Sequence, residues 1–294
     1  SITTPLATAH VANAQVARPA APPVSPLGGE GYTPVLPARL LDTRPGFATV
    51  DGLEAGGGIV GAGDTVDVTV LGRGGVPLTG VDSVVLHVTA VKQTVMGFVT
   101  VFPSGEARPT VSSLNPVPGA VSSNLVAVHV GSNGKVSLYN SAGTTHLIVD
   151  VEGWFPVGPT FHGVTPARLL DTRDSGTKVG PGGVLDVQVT GAGGVPAGTT
   201  SVALNVTVVG ATTSTFVTVY PPGTALPATS NLNSQPGLIA ANLLIGELSP
   251  AGKVRLYNAN GSVHLIVDVM GYFGNGPGYT PIYPARVIDT RGGT

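Results

Sequence analysis

The chain has 294 residues, enough for two domains of ordinary size that each bury a core. Charged residues make up 10% of the sequence and the formal net charge is −2, which excludes a strongly basic surface for nucleic acid or anionic lipid. The absence of cysteine excludes disulfide bonds and thiolate metal sites. No run of about 18 apolar residues occurs, so the sequence predicts no membrane span.

Residues 1–30 are rich in Ala, Pro and Thr, a composition that predicts an extended arm or linker. The sequence begins with Ser1 rather than Met, which either a cleaved signal peptide or a chosen boundary of the chain would explain. Secretion to the outside of the cell or to the cell surface is our expectation, and the motifs described below bear on it.

The rest of the chain contains an internal repeat, in which the same motifs occur twice in the same order. The opening motif Pro37–Arg44 returns at Pro166–Arg173 and, with Val and Ile in place of the two leucines, at Pro284–Arg291. The closing motif His146–Val151 returns at His264–Val269. These repeats predict the following organisation: an arm (1–30), β-repeat 1 (31–157), β-repeat 2 (158–275) and the opening strand of a third repeat (276–294).

Short strands joined by tight turns are predicted throughout both repeats. Apolar residues alternate with polar ones at Val66, Val68 and Val70, as in half-buried strands, and the denser run Val84–Val91 indicates a strand covered on both faces. No stretch has the apolar period of a helix. We predict an all-β fold of two tandem β-sandwich or Greek-key barrel repeats, each with about seven to nine strands. The first copy carries an insertion within Phe47 to Gly63.

Each opening motif carries two arginines and one aspartate, in a chain that is otherwise poor in charge. The aspartate and the second arginine alternate onto one strand face, where they could contact a partner. We favour a structural clamp, in which arginine binds a carboxylate or the backbone at the edge of the repeat. The predicted clamp residues are Arg39, Asp42, Arg44, Arg168, Asp171, Arg173, Arg286, Asp289 and Arg291.

An aromatic pair ends each repeat directly after a glycine. Exposed rings at these positions could stack on sugars, but at a strand end beside a linker they more often seal the core against the next domain. We favour the sealing role. The possible interface or glycan residues are Trp154, Phe155, Tyr272 and Phe273.

The sequence offers no convincing catalytic pattern. The letters of Gly56–Gly61 fit a dinucleotide fingerprint, but a strand and not a helix follows them. His146 and His264 occupy equal places in both copies without a second metal ligand at suitable spacing, and we interpret them as structural. We predict no catalytic residue, no metal site and no cofactor, and hence no enzyme. A calcium site between loop carboxylates such as Asp51 and Glu54 is an open alternative.

These motifs resemble a repeat found in secreted proteins of actinobacteria. Its marks are the Pro-Ala-Arg-Leu-Leu-Asp-Thr-Arg opening, a Gly-Gly-Val-Pro turn, a Ser-Asn-Leu-Asn segment as at Ser230–Asn233, and a closing segment as at His264–Phe273. The resemblance covers residues 32–291, and the first copy departs from it at Ser113 and Trp154. In that family the repeat accompanies wall hydrolases or stands in tandem without an enzyme, which implies an extracellular location and no catalysis by the repeat itself.

Two functions follow from this reading. The first is a non-catalytic structural subunit of a cell-surface filament or fibre, a homopolymer joined by β-strand exchange through the arm 1–30, the tail 276–294 or both. The alternative is a cell-wall or glycan-binding module of a secreted hydrolase, which predicts a monomer with exposed rings at Trp154 and Tyr272. Neither function involves nucleic acid.

Overall fold

The computed structural model describes residues 31–158 and 160–274, together with Tyr279 and Pro281. The predicted arm (1–30) and most of the predicted third opening strand lie outside the described residues, including Arg286, Asp289 and Arg291. Every regular element within the described ranges is a β-strand, which confirms the all-β prediction. The described residues contain no helix with the length and apolarity needed to cross a membrane.

The first body consists of seven strands: β1 (Thr33–Asp42), β2 (Thr65–Thr69), β3 (Val81–Val91), β4 (Val99–Pro103), β5 (Ser122–His129), β6 (Lys135–Asn140) and β7 (His146–Pro156). They form two antiparallel sheets with the orders β1-β7-β3-β5 and β2-β6-β4. Val68 and Leu138 of the smaller sheet share one buried cluster with Val84 and Val149 of the larger sheet. The body is therefore a β-sandwich, one of the two architectures predicted.

The second body repeats this plan with eight strands: β8 (Phe161–Asp171), β9 (Val184–Gln188), β10 (Ser201–Val209), β11 (Thr215–Tyr220), β12 (Leu232–Ser234), β13 (Ala240–Glu247), β14 (Lys253–Asn258) and β15 (His264–Phe273). The larger sheet has the order β8-β15-β10-β13, and the smaller sheet has the order β9-β14-β11-β12. Each strand of the first body thus has an equivalent in the second, and β12 is the additional strand.

In both bodies the opening strand pairs with the closing strand. β1 lies antiparallel to β7 with Leu41 opposite Val149, and β8 lies antiparallel to β15 with Leu170 opposite Val267. The hydrophobic residues of these strands enter the core because side chains alternate between the two faces of a sheet. The opening and closing motifs are therefore neighbours in space, although they are far apart in sequence.

Both faces of β10 are buried, and β3 is more open than β10 at one outer-face position, where His87 is partly exposed and its equivalent Asn205 is 2% exposed. Val202, Leu204 and Val206 point into the second core and are fully buried, as expected for the inner face of a sandwich. On the outer face, Ala203 and Asn205 are also buried, because the first body packs there. The outer face of the larger second sheet is thus an interface between the two bodies.

A glycine in each closing strand makes room for the aromatic residue that opens the same body. The ring of Phe161 lies against Gly271 and the ring of Tyr32 against Gly153, so that a Cβ atom at either glycine would overlap a ring. Phe161 is 1% exposed and Tyr32 is 42% exposed. The two rings therefore differ in their freedom to move.

This difference predicts unequal costs for the same substitution. Gly271→Ala should destabilise the protein by about 1–3 kcal/mol, because Phe161 is enclosed and the added methyl group overpacks the site. Gly153→Ala should cost clearly less, because the half-exposed ring of Tyr32 can shift into solvent. Urea unfolding of the two variants measures both losses, and equal losses would contradict this account.

Candidate functional site

The clamp of the first body joins the opening strand to the closing strand. Arg39 donates from Nε to Asp150 Oδ1 at 2.9 Å and from Nη2 to Asp150 Oδ2 at 3.2 Å, while its Nη1 donates to Asp42 at 3.1 Å. Arg44 forms a second pair of bonds to Asp42, at 2.9 and 2.7 Å. Burial alone would raise the pKa of Asp42, but hydrogen bonds from Arg44 outweigh it and leave that pKa below its usual value.

The clamp of the second body has the same geometry. Arg168 binds Asp268 at 2.8 and 3.3 Å and Asp171 at 3.2 Å, and Arg173 binds Asp171 at 2.9 and 2.6 Å. Asp268 is 0% exposed, whereas the side chain of its equivalent Asp150 is 22% exposed. Burial raises the pKa of Asp268 to about 6, against the opposing effect of the hydrogen bonds from Arg168.

Six of the predicted clamp residues lie among the described residues, and each forms its ion pairs within its own body. Sequence reasoning did not identify Asp150 and Asp268 as their partners. Each aspartate is the only charged residue of its closing motif, and this was the sequence signal that could have identified it. A bidentate Arg–Asp pair fixes distance and orientation together, so the clamp sets the register of the opening strand.

The repeated histidines also join opening and closing strands. Thr43 Oγ1 lies 3.0 Å from His146 Nδ1 and accepts a hydrogen bond from the backbone N–H of Leu147 at 3.0 Å. Its hydroxyl hydrogen is then free to point at the imidazole nitrogen. Thr172 and His264 repeat the arrangement at 3.1 Å. These histidines therefore have structural partners in both bodies.

The insertion of the first body is held by Arg73, which sequence reasoning did not single out. Arg73 is 6% exposed and binds Asp51 at 2.7 and 2.8 Å and Glu54 at 2.7 Å. It also donates to the backbone carbonyl of Leu40 at 2.9 Å. The guanidinium thus binds both Asp51 and Glu54, the two carboxylates that the sequence offered as an alternative calcium site. The second body has Ala192 at the equivalent position and lacks the insertion, so the two features occur together.

Three aromatic rings meet where the first body ends and the second begins. Phe155 stacks on Phe161 with 4.3 Å between ring centroids, and Phe161 contacts Phe273 at 4.9 Å. Phe155 and Phe273 are each 3% exposed, so neither ring is available to a sugar. Trp154 is half-buried against the first core, and half-buried Tyr272 stacks on His162 at 4.9 Å.

A buried amide pair extends this junction. Asn124 on the edge strand β5 donates from Nδ2 to Asn205 Oδ1 at 2.9 Å, and Asn205 donates to the carbonyl of Ser112 at 2.6 Å. Asn124 Oδ1 accepts from the backbone N–H of Leu243 at 3.1 Å. The strand β5 and the segment at Ser112 in the first body therefore contact the outer face of the larger sheet of the second.

The hydrogen bonds across the junction come from non-equivalent residues of the two bodies. Asn242 is the equivalent of Asn124, and both donate to a carbonyl of their own body at 2.7 Å, Asn242 to Asn231 and Asn124 to Ser113. Asn124 also bonds across the junction to Asn205, and no such bond of Asn242 occurs among the described residues. His87 stands on β3 where Asn205 stands on β10, and it is partly exposed. The hydrogen bonds of the junction are therefore not two-fold symmetric, although equivalent outer-face residues such as Val85 and Ala203 are buried on both bodies.

No cluster of three or more His, Asp or Glu residues able to hold a metal ion occurs in the described ranges. The cleft beside the insertion, about 360 Å³ in volume, includes the carboxylates of Glu54 and Asp67. Glu54 is bound to Arg73, and Asp67 accepts hydrogen bonds from Ser137 at 2.6 Å and Ser104 at 3.1 Å. These groups are engaged in holding the fold.

The two clamps predict a matched pair of effects. Arg168→Lys should destabilise the second body by about 1–3 kcal/mol, because lysine cannot form the bidentate bond and Asp268 is left desolvated. Arg39→Lys should cost less, because water reaches Asp150. Thermal unfolding monitored by calorimetry compares the two variants. A larger loss for Arg39→Lys would show that burial of the aspartate does not set the cost.

Arg73 predicts a dependence of stability on pH. Hydrogen bonds from Arg73 lower the pKa of Asp51 to about 2, so the stabilisation that they provide is present above about pH 4 and is lost as the pH falls towards 2. Arg73→Met should cost about 2–4 kcal/mol at pH 7. The difference from the wild type should shrink between pH 4 and pH 2 in urea unfolding. A constant difference over that range would contradict the ion pair's role.

The chain has a distant structural likeness to a pair of tandem domains. No family model matches the chain, and no curated protein matches it. Among solved structures, it is similar to the N-terminal CBM22-1-CBM22-2 tandem domain of Xyn10C from Paenibacillus barcinonensis, with 12% identity and a TM-score of 0.23. The match covers 84% of this chain and 99% of that chain.

Proposed function

We propose that the protein is a non-catalytic, extracellular structural subunit whose bodies pack one on the next to form a cell-surface filament. The observation that carries this proposal is that the hydrogen bonds of the junction join non-equivalent residues of the two bodies, as Asn124 and Asn205 do. A heterologous contact joins two different surfaces, and each body has both of them. One of the two surfaces therefore stays free on each body, and repeating the contact there builds an open chain of bodies.

The first body has the equivalent of this covered face, and part of it is free: Val85, the equivalent of Ala203, is buried, whereas other positions are open. On the second body this face includes Asn205, 2% exposed, and Leu243, whose backbone N–H is bonded to Asn124. The equivalent residues His87 and Leu125 form what we call the open face. Leu125 is 38% exposed and His87 is partly exposed.

The second body leaves exposed one position that is buried on the first body. Ala127 on β5 is 4% exposed at the junction, whereas its equivalent Ile245 on β13 is 43% exposed. An exposed isoleucine on an edge strand favours contact with another surface. The open face of one molecule and the β13 side of another therefore form a complementary pair in this proposal.

The aromatic contact at the junction also recurs. Phe273 stacks on Tyr279 at 4.4 Å and 26°, much as Phe155 stacks on Phe161 at 4.3 Å and 27°. Each closing aromatic residue thus receives the opening aromatic residue of the segment that follows it. This recurrence supports a repeating geometry from body to body.

Strand exchange is a separate route to the same assembly. The segments expected to exchange, 1–30 and 276–294, fall almost entirely outside the described residues. The face-to-side contact proposed here needs neither segment. The extracellular location rests on the resemblance to the secreted repeat.

The glycan-module alternative receives less support from the four closing aromatic residues. Phe155 and Phe273 are buried in the junction, and the ring of Tyr272 already stacks on His162. Sugar recognition by ring stacking needs an exposed ring face. We therefore favour the structural role for these residues.

Assembly is tested by placing a charge on the open face. The wild-type protein should form long particles on concentration, seen by electron microscopy and light scattering. His87→Glu should raise the concentration needed for assembly by at least about tenfold, because a desolvated, unpaired carboxylate opposes the contact. Ser214→Glu adds the same charge at an exposed position directly before β11, in the other sheet, and should assemble like the wild type.

Two outcomes of this experiment would contradict the proposal. One is a wild-type protein that stays monomeric at every concentration. The other is a His87→Glu variant that is folded by circular dichroism and assembles at the wild-type concentration.

A further inference from the structure

A polar groove of about 460 Å³ lies between the two bodies. Its walls come from the segments next to β5 in the first body and from β12 and β13 in the second. The volume is within the range of small-molecule sites, which is roughly 300–1,000 Å³. The polar side chains of its lining are Asn115, Ser122, Ser123, Asn231, Asn233 and Asn242.

Several of these side chains have hydrogen-bonding groups to spare. Asn115 Nδ2 is buried without a hydrogen-bond partner. The side chains of Ser122, Ser123 and Asn233 take part in no side-chain hydrogen bond found within 31–158 and 160–274, and Asn233 is exposed. A desolvated amide donor without a partner is rare in proteins, which points to an acceptor that arrives with a ligand.

The two unbonded asparagines come from the same place in the two repeats. Asn115 follows Leu114, and Asn233 follows the equivalent Leu232, and all four residues line the groove. The packing of one body on the other thus brings two copies of one Leu-Asn element to a single cleft. The site exists only in the pair of bodies.

The chemistry of the lining selects a neutral, hydroxyl-rich ligand. None of the described lining residues is charged or aromatic. An amide side chain offers a donor and an acceptor side by side, which match the neighbouring hydroxyl groups of a sugar ring. We propose that this groove binds a neutral oligosaccharide, with Asn115 and Asn233 as its main hydrogen-bonding residues.

An extended peptide fits the groove less well. Strand addition needs a continuous free edge, and β12 has only three residues. The edges of β5 and β13 are already bridged where Leu243 N–H donates to Asn124. The groups left free are side-chain amides and hydroxyls and not a ladder of backbone groups.

Binding should be weak, because no ring is available for stacking. We expect dissociation constants on the order of 0.1–10 mM, typical of a few neutral hydrogen bonds made against water. The full-length chain, labelled with ¹⁵N, is titrated with cello-, chito- and manno-tetraose and, separately, with a synthetic peptide of residues 1–30. The side-chain NH₂ signals of Asn115 and Asn233 should shift with at least one tetrasaccharide.

Matched variants locate the site. Asn115→Ala and Asn233→Ala should each weaken binding by about tenfold without loss of stability, because neither side chain is bonded to the protein. Gln235→Ala removes an exposed amide two residues beyond Asn233 and outside the lining, and it should bind like the wild type.

The inference is overturned if none of the three tetrasaccharides shifts the two amide signals. It is also overturned if binding survives both substitutions, or if only the peptide shifts these signals. Assembly is measured separately on His87→Glu, so loss of the groove's ligand and loss of the filament are distinguishable.

Discussion

Each body closes where its first strand pairs with its last, and no disulfide bond supports that closure. Arg39 meets Asp150 across 111 positions of sequence, so the intervening chain must fold before the pair can form. The carboxylate that it binds is part of the closing motif, and Thr43 secures the same two strands through His146. The opening and closing motifs thus supply the two sides of one strand-to-strand contact, which accounts for their occurrence together.

The pairing of the opening strand with the closing strand also forms part of the interface between the two bodies. Gly271 leaves room for the ring of Phe161, and that ring then lies between Phe273 of its own body and Phe155 of the preceding one. Closure of one body therefore supplies part of the surface on which its neighbour rests. A protein built in this way gains buried area with each added body, as expected of a structural repeat. Function in this proposal resides in surfaces between bodies.

The sequence predicted the strands and sandwich well, because alternation and turn residues are local signals. It also indicated the clamp residues Arg39 and Asp42, since charge is scarce in this chain. It did not identify Arg73, because the carboxylates bound by Arg73 lie in an insertion that has no second copy. Nor could it predict the groove at Asn115, which depends on how one body rests on the other. Contacts between bodies produce no periodic pattern of apolar and polar residues from which they could be predicted.

The central claim is that one contact geometry recurs from body to body. Helical reconstruction from electron micrographs of the concentrated protein tests it most directly, because the rotation and translation between successive bodies can be measured. The account predicts that neighbouring molecules are related by the same rotation and translation that relate the first body to the second within one chain. Monomers alone, or closed dimers with two-fold symmetry, would contradict it.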